Sequence, residues 1–326
     1  MGLTVHPFSN LSPDAVLAAV ESTGLPCDGR QLALNSYENR VYQVGIEEAD
    51  PVVVKFYRPG RWTREQILEE HSFLQELADA ELPVVPPLVT NASTLHNFDP
   101  FMFAVFPRKG GRLPDLDFDT LQSVGRTLGQ LHSIGARSRF RHRPRLTLAG
   151  HGEASRNFLL EHDFIPAELR PAYETLTRDL LARINQVWRQ CDHVPQLRLH
   201  GDCHAGNILW RDGPLLVDFD DCLTGPAMQD LWMLLSGERE QRQAQLTELI
   251  DGYQMFHDFN PVELQLVEAL RTLRLLHYSA WLARRWDDPA FPRAFPWFNT
   301  ARYWSEQVLG LREQLAALDE PPLRLF

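Results

Sequence analysis

The spacing of apolar residues changes period several times along the chain, and each change predicts a different kind of element. Ser12 precedes a proline and an acid, and Val16 and Val20 follow at helical spacing, which predicts a first helix. A shorter period then predicts three strands at residues 31–34, 40–46 and 52–57. The helical period returns from residue 63 to about residue 80.

A second region begins after an apolar strand at residues 101–106, where Gly110 and Gly111 mark a shift in composition. Helical patterns dominate beyond it, around 121–131, 166–190 and twice within 241–285. We therefore predict an α+β, bilobal protein. Residues 1–107 would form a small, mainly β lobe, and residues 108–326 a larger, mainly helical lobe.

Composition narrows the class of protein. The 326 residues are 44% hydrophobic and 23% charged, which is ordinary for a globular enzyme. A net charge of −11 argues against nucleic-acid and anionic-membrane partners. Residues 1–6 lack the apolar core of a signal sequence, and the four cysteines have neither metal-binding nor secreted spacing. We expect a cytoplasmic protein and a monomer.

The chemistry is concentrated in the stretch that begins at His200. Asp202 is followed five residues later by Asn207, and predicted strands at 208–210 and 215–217 lead to Asp218. With a further predicted strand at 197–199, this layout should bring the three polar residues to one end of a small sheet. Phosphoryl transfer from ATP needs such a set: one carboxylate for the attacking hydroxyl, and an amide and a second carboxylate for Mg²⁺.

These residues resemble the catalytic and metal loops of the aminoglycoside phosphotransferase and choline kinase group, which is related to protein kinases. One branch of this group, the bacterial stress response kinase A or YihE-type proteins, is similar in sequence to residues 200–214, 35–43, 54–59 and 287–292. The resemblance implies a protein-kinase-like fold and use of ATP with Mg²⁺. It also implies a Ser/Thr protein kinase that protects cells from stress-induced death. We expect autophosphorylation to be the simplest sign of that activity.

The resemblance also implies roles for individual residues. Asp202 would accept the proton of the substrate hydroxyl, Asn207 and Asp218 would hold Mg²⁺, and Asp218 would be essential for catalysis. Ser36 would contact the nucleotide phosphates from a loop that contains no glycine. Lys55 would reach the α- and β-phosphates.

Lys55 needs a negative partner, because it lies within an apolar strand. Glu69 and Glu70 are both available on the following helix. Glu70 fits the phosphotransferase helix better, because apolar residues follow it at +3, +4 and +7. Glu69 remains open at this point.

Three other functions stay open. A small alcohol such as choline, homoserine or an aminoglycoside could replace the protein acceptor. A metal-dependent hydrolase is the second alternative, because His200, Asp202 and His204 stand at alternate positions and could lie on one face of a strand as metal ligands. An inactive ATP-binding interaction protein is the third alternative.

The remaining polar residues receive weaker interpretations. His132 is expected in the core, and Asp230 is expected to cap a helix or brace the catalytic loop. The roles of Asp220 and Asp221 stay open. The redox sensitivity of the thiols of Cys203 and Cys222, which lie next to the two loops, also stays open. Two basic segments, at 137–145 and 284–285, could hold an acidic partner.

Overall fold

The structure is a computed structural model that describes residues 7–325. Residues 1–6, where no signal sequence is expected, lie outside the described residues. The helices are α1 (Pro13–Glu21), α2 (Arg64–Asp79), α3 (Phe118–Gly135), α4 (Ala154–Glu161), α5 (Arg170–Gln190), α6 (Met228–Leu231), α7 (Arg239–Tyr253), α8 (Val267–Arg284), α9 (Ala290–Ala294) and α10 (Ala301–Ala317). Within residues 7–325, none of these helices is both long and apolar enough to cross a membrane.

The strands form one large sheet and two short pairs. They are β1 (Cys27–Ala33), β2 (Arg40–Ile46), β3 (Ala49–Phe56), β4 (His96–Phe98), β5 (Phe101–Pro107), β6 (Leu197–Leu199), β7 (Ile208–Trp210), β8 (Pro214–Leu216) and β9 (Leu223–Gly225). The large sheet is antiparallel in the order β1-β2-β3-β5-β4. The pairs are β6 with β9 and β7 with β8.

The chain folds into two compact units. The first comprises residues 1–115, 140–143 and 205–222, as far as they are described, and the second comprises 116–139, 144–204 and 223–326. The lobe boundary at residues 107 and 108 stays a prediction.

The two faces of the large sheet explain the direction of Lys55. Alternate residues of β3, including Val54 and Phe56, are buried in a cluster with α1. The opposite face carries Tyr57, which packs with Ile67 of α2. Because side chains alternate along a strand, Lys55 shares the face that α2 covers.

The second unit is built from helices and the short β6–β9 pair. Helices α3 and α7 approach closely where they carry Gly125 and Gly252. A Cβ atom at Gly125 would lie 2.1 Å from the carbonyl oxygen of Leu249, and one at Gly252 would lie 2.0 Å from that of Gln122. A larger residue at either position would force the helices apart. Buried aromatic and aliphatic residues of α5, α8 and α10, including Trp304, form the main core.

One predicted feature of the catalytic region is wrong. The strand at 197–199 and the 208–217 hairpin do not share a sheet, because β6 pairs with β9 instead. The sequence pattern did not indicate β9, because Leu-Thr-Gly contains a single large apolar residue and no apolar run marks it as a strand. The residues predicted for catalysis and metal binding are therefore not grouped by the strand ends of one sheet.

Candidate functional site

Lys55 lies at the centre of a cluster of carboxylates in the first unit. The side chain is 9% exposed, and its Nζ lies 2.9 Å from Asp220 Oδ1, 3.3 Å from Asp218 Oδ1 and 3.6 Å from Glu70 Oε1. Burial alone would lower the pKa of Lys55, but Asp220, Glu70 and Asp218 raise it well above the ordinary value. The lysine therefore provides a fixed positive charge.

The two neighbouring glutamates of α2 have separate partners. Glu70 is 1% exposed and faces Lys55, and its Oε2 lies 3.9 Å from Arg143 Nη1. Glu69 instead accepts hydrogen bonds from the backbone N–H groups of Arg141, His142 and Arg143 at 2.6, 2.8 and 2.7 Å. The Lys–Glu pair of the predicted fold is thus formed by Glu70, and Glu69 secures a loop.

The loop predicted to bind a metal holds Asp218 in an unusual backbone conformation. Its φ and ψ angles of 61° and 67° are left-handed, which is uncommon for a residue other than glycine. Its side chain is 57% exposed, although one oxygen contacts Lys55. A 3₁₀ turn, Ala205–Asn207, precedes β7, and the Asn207 carbonyl accepts a 3.0 Å hydrogen bond from the Val217 N–H. This bond places the backbone of Asn207 beside the residue that precedes Asp218.

Asp220 and Arg61 are parts of this cluster for which the sequence predicted no definite role. Asp220 is 3% exposed, lies nearer to Lys55 than Glu70 and Asp218 do, and forms an ion pair with Arg61. Burial would raise the pKa of Asp220, but Arg61 and Lys55 lower it below the ordinary value. Arg61 also pairs with Asp221. A buried lysine with one predicted partner is a signal that further charges are needed, but only the fold identifies them.

The glycine-free loop before β2 is held by side chains. Ser36 Oγ donates to the Asn39 carbonyl at 3.3 Å. Glu38 Oε1 lies 3.1 Å from Arg58 Nε and 3.7 Å from Arg61 Nε. Arg61 therefore touches both this loop and the segment that follows Asp218.

The loop that carries Asp202 belongs to the second unit and is braced from beneath. Asp230 is fully buried and accepts hydrogen bonds from the N–H groups of His200 and Gly201, both at 2.8 Å. His132 Nε2 lies 3.1 Å from Asp230 Oδ2, and the other ring nitrogen contacts the Tyr253 hydroxyl. The expectation of a brace is thus correct for Asp230, and His132 is a core residue.

The carboxylate of Asp202 has a neighbour on each oxygen. Arg274 of α8 forms an ion pair with Oδ1, and His204 Nε2 lies 3.5 Å from Oδ2. The fully buried His200 ring accepts a 3.3 Å hydrogen bond from the Asp202 N–H. His200 therefore supports the loop, and nothing in the sequence pattern indicated Arg274.

The predicted site residues are divided between the two units. Lys55 contacts both Glu70 and Asp218 in the first unit, which also contains Asn207 and Ser36. Asp202 belongs to the second unit, five residues before Asn207 in the chain. Among residues 7–325, no group of three or more His, Cys, Asp or Glu side chains is arranged to hold a metal by itself. A metal here would therefore need other ligands, such as the Asn207 amide and phosphate oxygens.

Comparison with known proteins identifies the family. Residues 30–267 match the model of the phosphotransferase enzyme family. The chain belongs to the phosphotransferase enzyme family. Stress response kinase A of Shigella flexneri is 47% identical over 326 residues, with 100% of this chain and 99% of that protein covered. The serine/threonine protein kinase RdoA of Salmonella typhimurium is 45% identical, with 98% and 97% covered.

Solved structures of two other kinases have the same fold. Amicoumacin kinase hAmiN, solved with AMP-PNP, Ca²⁺ and its ligand, has a TM-score of 0.72 at 17% identity, with 96% of both chains covered. A microcompartment-associated aminopropanol kinase has a TM-score of 0.69 at 17% identity, with 94% of this chain and 97% of the other covered. The predicted family branch, the kinase-like α+β fold and the assignment as a kinase are confirmed.

Proposed function

We propose that this phosphotransferase moves the γ-phosphoryl group of ATP to a serine or threonine hydroxyl of a protein, in support of survival under stress. The observation that carries the proposal is the buried Lys55, held by Glu70 beside the exposed carboxylate of Asp218. Phosphoryl transfer depends on positioning and charge stabilisation, and this cluster supplies both. Full-length relatives named as Ser/Thr or stress response kinases support the protein acceptor.

Asp202 is the proposed proton acceptor. Its carboxylate would take a hydrogen bond from the acceptor hydroxyl and then its proton. The hydroxyl oxygen forms a bond to the γ-phosphorus as the bond to the β,γ-bridging oxygen breaks and ADP leaves. Because the transition state is loose, holding the hydroxyl in line contributes more than the basicity of the carboxylate.

The divalent cation is proposed to be Mg²⁺. The exposed Asp218 carboxylate and the Asn207 amide would hold it, and both offer the oxygen ligands that this ion prefers. When bound, Mg²⁺ neutralises phosphate charge. Lys55 and Ser36 would contact the ATP phosphates from the same unit, and Glu70 would keep Lys55 in place.

The two basic segments that could bind an acidic protein acceptor, 137–145 and 284–285, are not exposed throughout. Arg143, within the basic segment 137–145, is 4% exposed and donates a hydrogen bond to the Cys222 carbonyl at 2.9 Å, so its role is structural. Arg284 is exposed and remains a candidate for binding an acidic protein segment. We propose a monomeric, cytoplasmic kinase, and the four free cysteines agree with a reducing compartment.

The test compares two classes of acceptor. The purified protein is incubated with labelled ATP and Mg²⁺, in parallel with a protein fraction and with a panel of small alcohols that includes choline, homoserine and aminoglycosides. Label on serine or threonine of protein, including the enzyme itself, is the expected result. Fast, saturable labelling of one small alcohol without any phosphoprotein would replace the protein acceptor by a small molecule.

A further inference from the structure

Arg274 is a charged group in direct contact with the proposed proton acceptor. Its guanidinium pairs with Oδ1 of Asp202 through Nη1. The Arg274 side chain is 39% exposed and that of Asp202 is 23% exposed, so both reach solvent.

The packing of α8 does not require an arginine at this position. Leu273 and Leu276, on the two sides of it, are buried in the core of the second unit. Arg274 lies on another face of the helix, which continues one turn later with the exposed Tyr278. The arginine is thus explained by the residue that it touches.

Arg274 and His204 approach different oxygens of the Asp202 carboxylate. Arg274 is in ion-pair contact with Oδ1, whereas His204 lies 3.5 Å from Oδ2, which is longer than a good hydrogen bond. The backbone of the same residue is fixed separately, because its N–H donates to the buried His200 ring. Arg274 therefore restrains the rotation of the carboxylate about its last torsion.

We propose that Arg274 is a positioning residue for phosphoryl transfer, which orients the Asp202 carboxylate toward the acceptor hydroxyl. This inference rests on the proposed function of Asp202. It predicts an effect on turnover that is separate from nucleotide binding, because the groups proposed to bind ATP belong to the first unit.

The test uses Arg274→Gln, Arg274→Lys and the control Arg271→Gln. Arg271 lies on the same helix, and its Nε is 3.7 Å from Glu268. Arg274→Gln should lower kcat by about 100-fold, since small misplacements of a reacting group can have effects of this size. Its affinity for ATP should stay within about twofold of the wild type, because substitutions that act only on turnover leave substrate binding unchanged.

Arg274→Lys should recover part of the lost kcat, because a single contact from one nitrogen can be made by an ammonium group. Arg271→Gln should keep the wild-type kcat. Thermal unfolding of each variant shows whether lost activity reflects lost folding, and Arg274→Lys provides the kinetic answer if Arg274→Gln does not fold.

Two outcomes would overturn the inference. One is a folded Arg274→Gln enzyme whose kcat stays within about threefold of the wild-type value, since a misplaced base should cause a much larger loss. The other is an equal loss of ATP affinity. Asp202→Asn is measured in parallel: if it loses turnover while Arg274→Gln does not, the proposed function stands and the inference about Arg274 fails. If Asp202→Asn is fully active, the proposed function itself fails.

Discussion

At the scale of single residues, Lys55 is stabilised by the carboxylates around it. Grouping these carboxylates would in turn be unfavourable without the positive charge of the lysine. Three of them lie within 3.6 Å of Nζ, and two of these, Glu70 and Asp220, are buried. Removing one partner of a buried ion pair leaves the other charge uncompensated. The cluster must therefore be altered one member at a time, with a matched control.

Glu69 and Glu70 provide such a matched pair. Glu70→Gln should raise KM for ATP by about tenfold, which corresponds to about 1.4 kcal/mol, because Lys55 would shift toward Asp218 and Asp220. Glu69→Gln should leave KM nearly unchanged. It should lower the free energy of unfolding by about 1–3 kcal/mol, because an amide cannot accept all three backbone hydrogen bonds equally well. Steady-state kinetics and urea unfolding measure the two effects, and a reversed pattern would contradict the assignment of Glu70 to Lys55.

The thiols beside the two loops are predicted to be unreactive. Cys203 and Cys222 are fully buried, and burial raises the pKa of both thiols. Reactivity requires the thiolate, so these groups should resist peroxide. The wild type and the double variant Cys203→Ala, Cys222→Ala should lose activity at the same rate in a peroxide titration. Protection by the substitutions would indicate a redox role.

At the scale of elements, the catalytic loop depends on a short helix, α6, that lies beyond it in sequence. Asp230 of α6 accepts from two consecutive N–H groups of that loop, and Gln229 donates to the Gly201 carbonyl at 2.8 Å. The position of this loop thus depends on α6 as well as on its own residue His200.

Asp230→Asn tests this brace. An amide offers one acceptor oxygen where the carboxylate uses two, so a buried N–H should lose its partner at a cost of about 1–3 kcal/mol in unfolding free energy. The kcat should fall more than the affinity for ATP, because the loop carries Asp202. The control is Asp251→Asn on an exposed part of α7. An Asp230→Asn enzyme with unchanged stability and kcat would argue against the brace.

Helices and loop residues were predictable where local chemistry specifies them. Thr63 begins α2 with the predicted boundary because its side chain and that of Gln66 form a capping box. The pairing of Lys55 with a glutamate of α2 was implied by the resemblance to the phosphotransferase helix, which favoured Glu70 and left Glu69 open. Arg61 and Arg274 could not be predicted, since their partners lie 159 and 72 residues away in sequence. Contacts over such separations depend on how elements pack, which no local pattern contains.

At the scale of the whole molecule, stability should depend on the protonation of Glu263. This side chain is 3% exposed and accepts from the Met228 N–H at 2.8 Å. Burial raises the pKa of Glu263 from about 4.5 to about 7, although backbone hydrogen bonds from Met228 and Ala227 oppose the change. Between these values the folded protein retains a proton that the unfolded chain has lost. The contribution of Glu263 to stability is therefore present below about pH 4.5 and is lost as the pH rises to about 7.

Glu263→Gln tests this dependence. The variant should be more stable relative to the wild type at pH 8 than at pH 5, by roughly 2 kcal/mol in unfolding free energy. Urea unfolding at both values measures the difference, and the exposed Glu313→Gln of α10 is the control. An identical effect of Glu263→Gln at the two pH values would contradict the raised pKa.

The central claim is that Asp202 accepts the proton of a protein hydroxyl during transfer from ATP. Its most direct test is mass spectrometry of the phosphatase-treated enzyme after incubation with ATP and Mg²⁺. We expect phosphoserine or phosphothreonine in the wild type and in the control Asp212→Asn, whose side chain is 97% exposed. Asp202→Asn should carry neither, while calorimetry shows that it binds ATP with nearly the wild-type affinity. Wild-type phosphorylation of Asp202→Asn, or an equal loss of ATP binding, would contradict the claim.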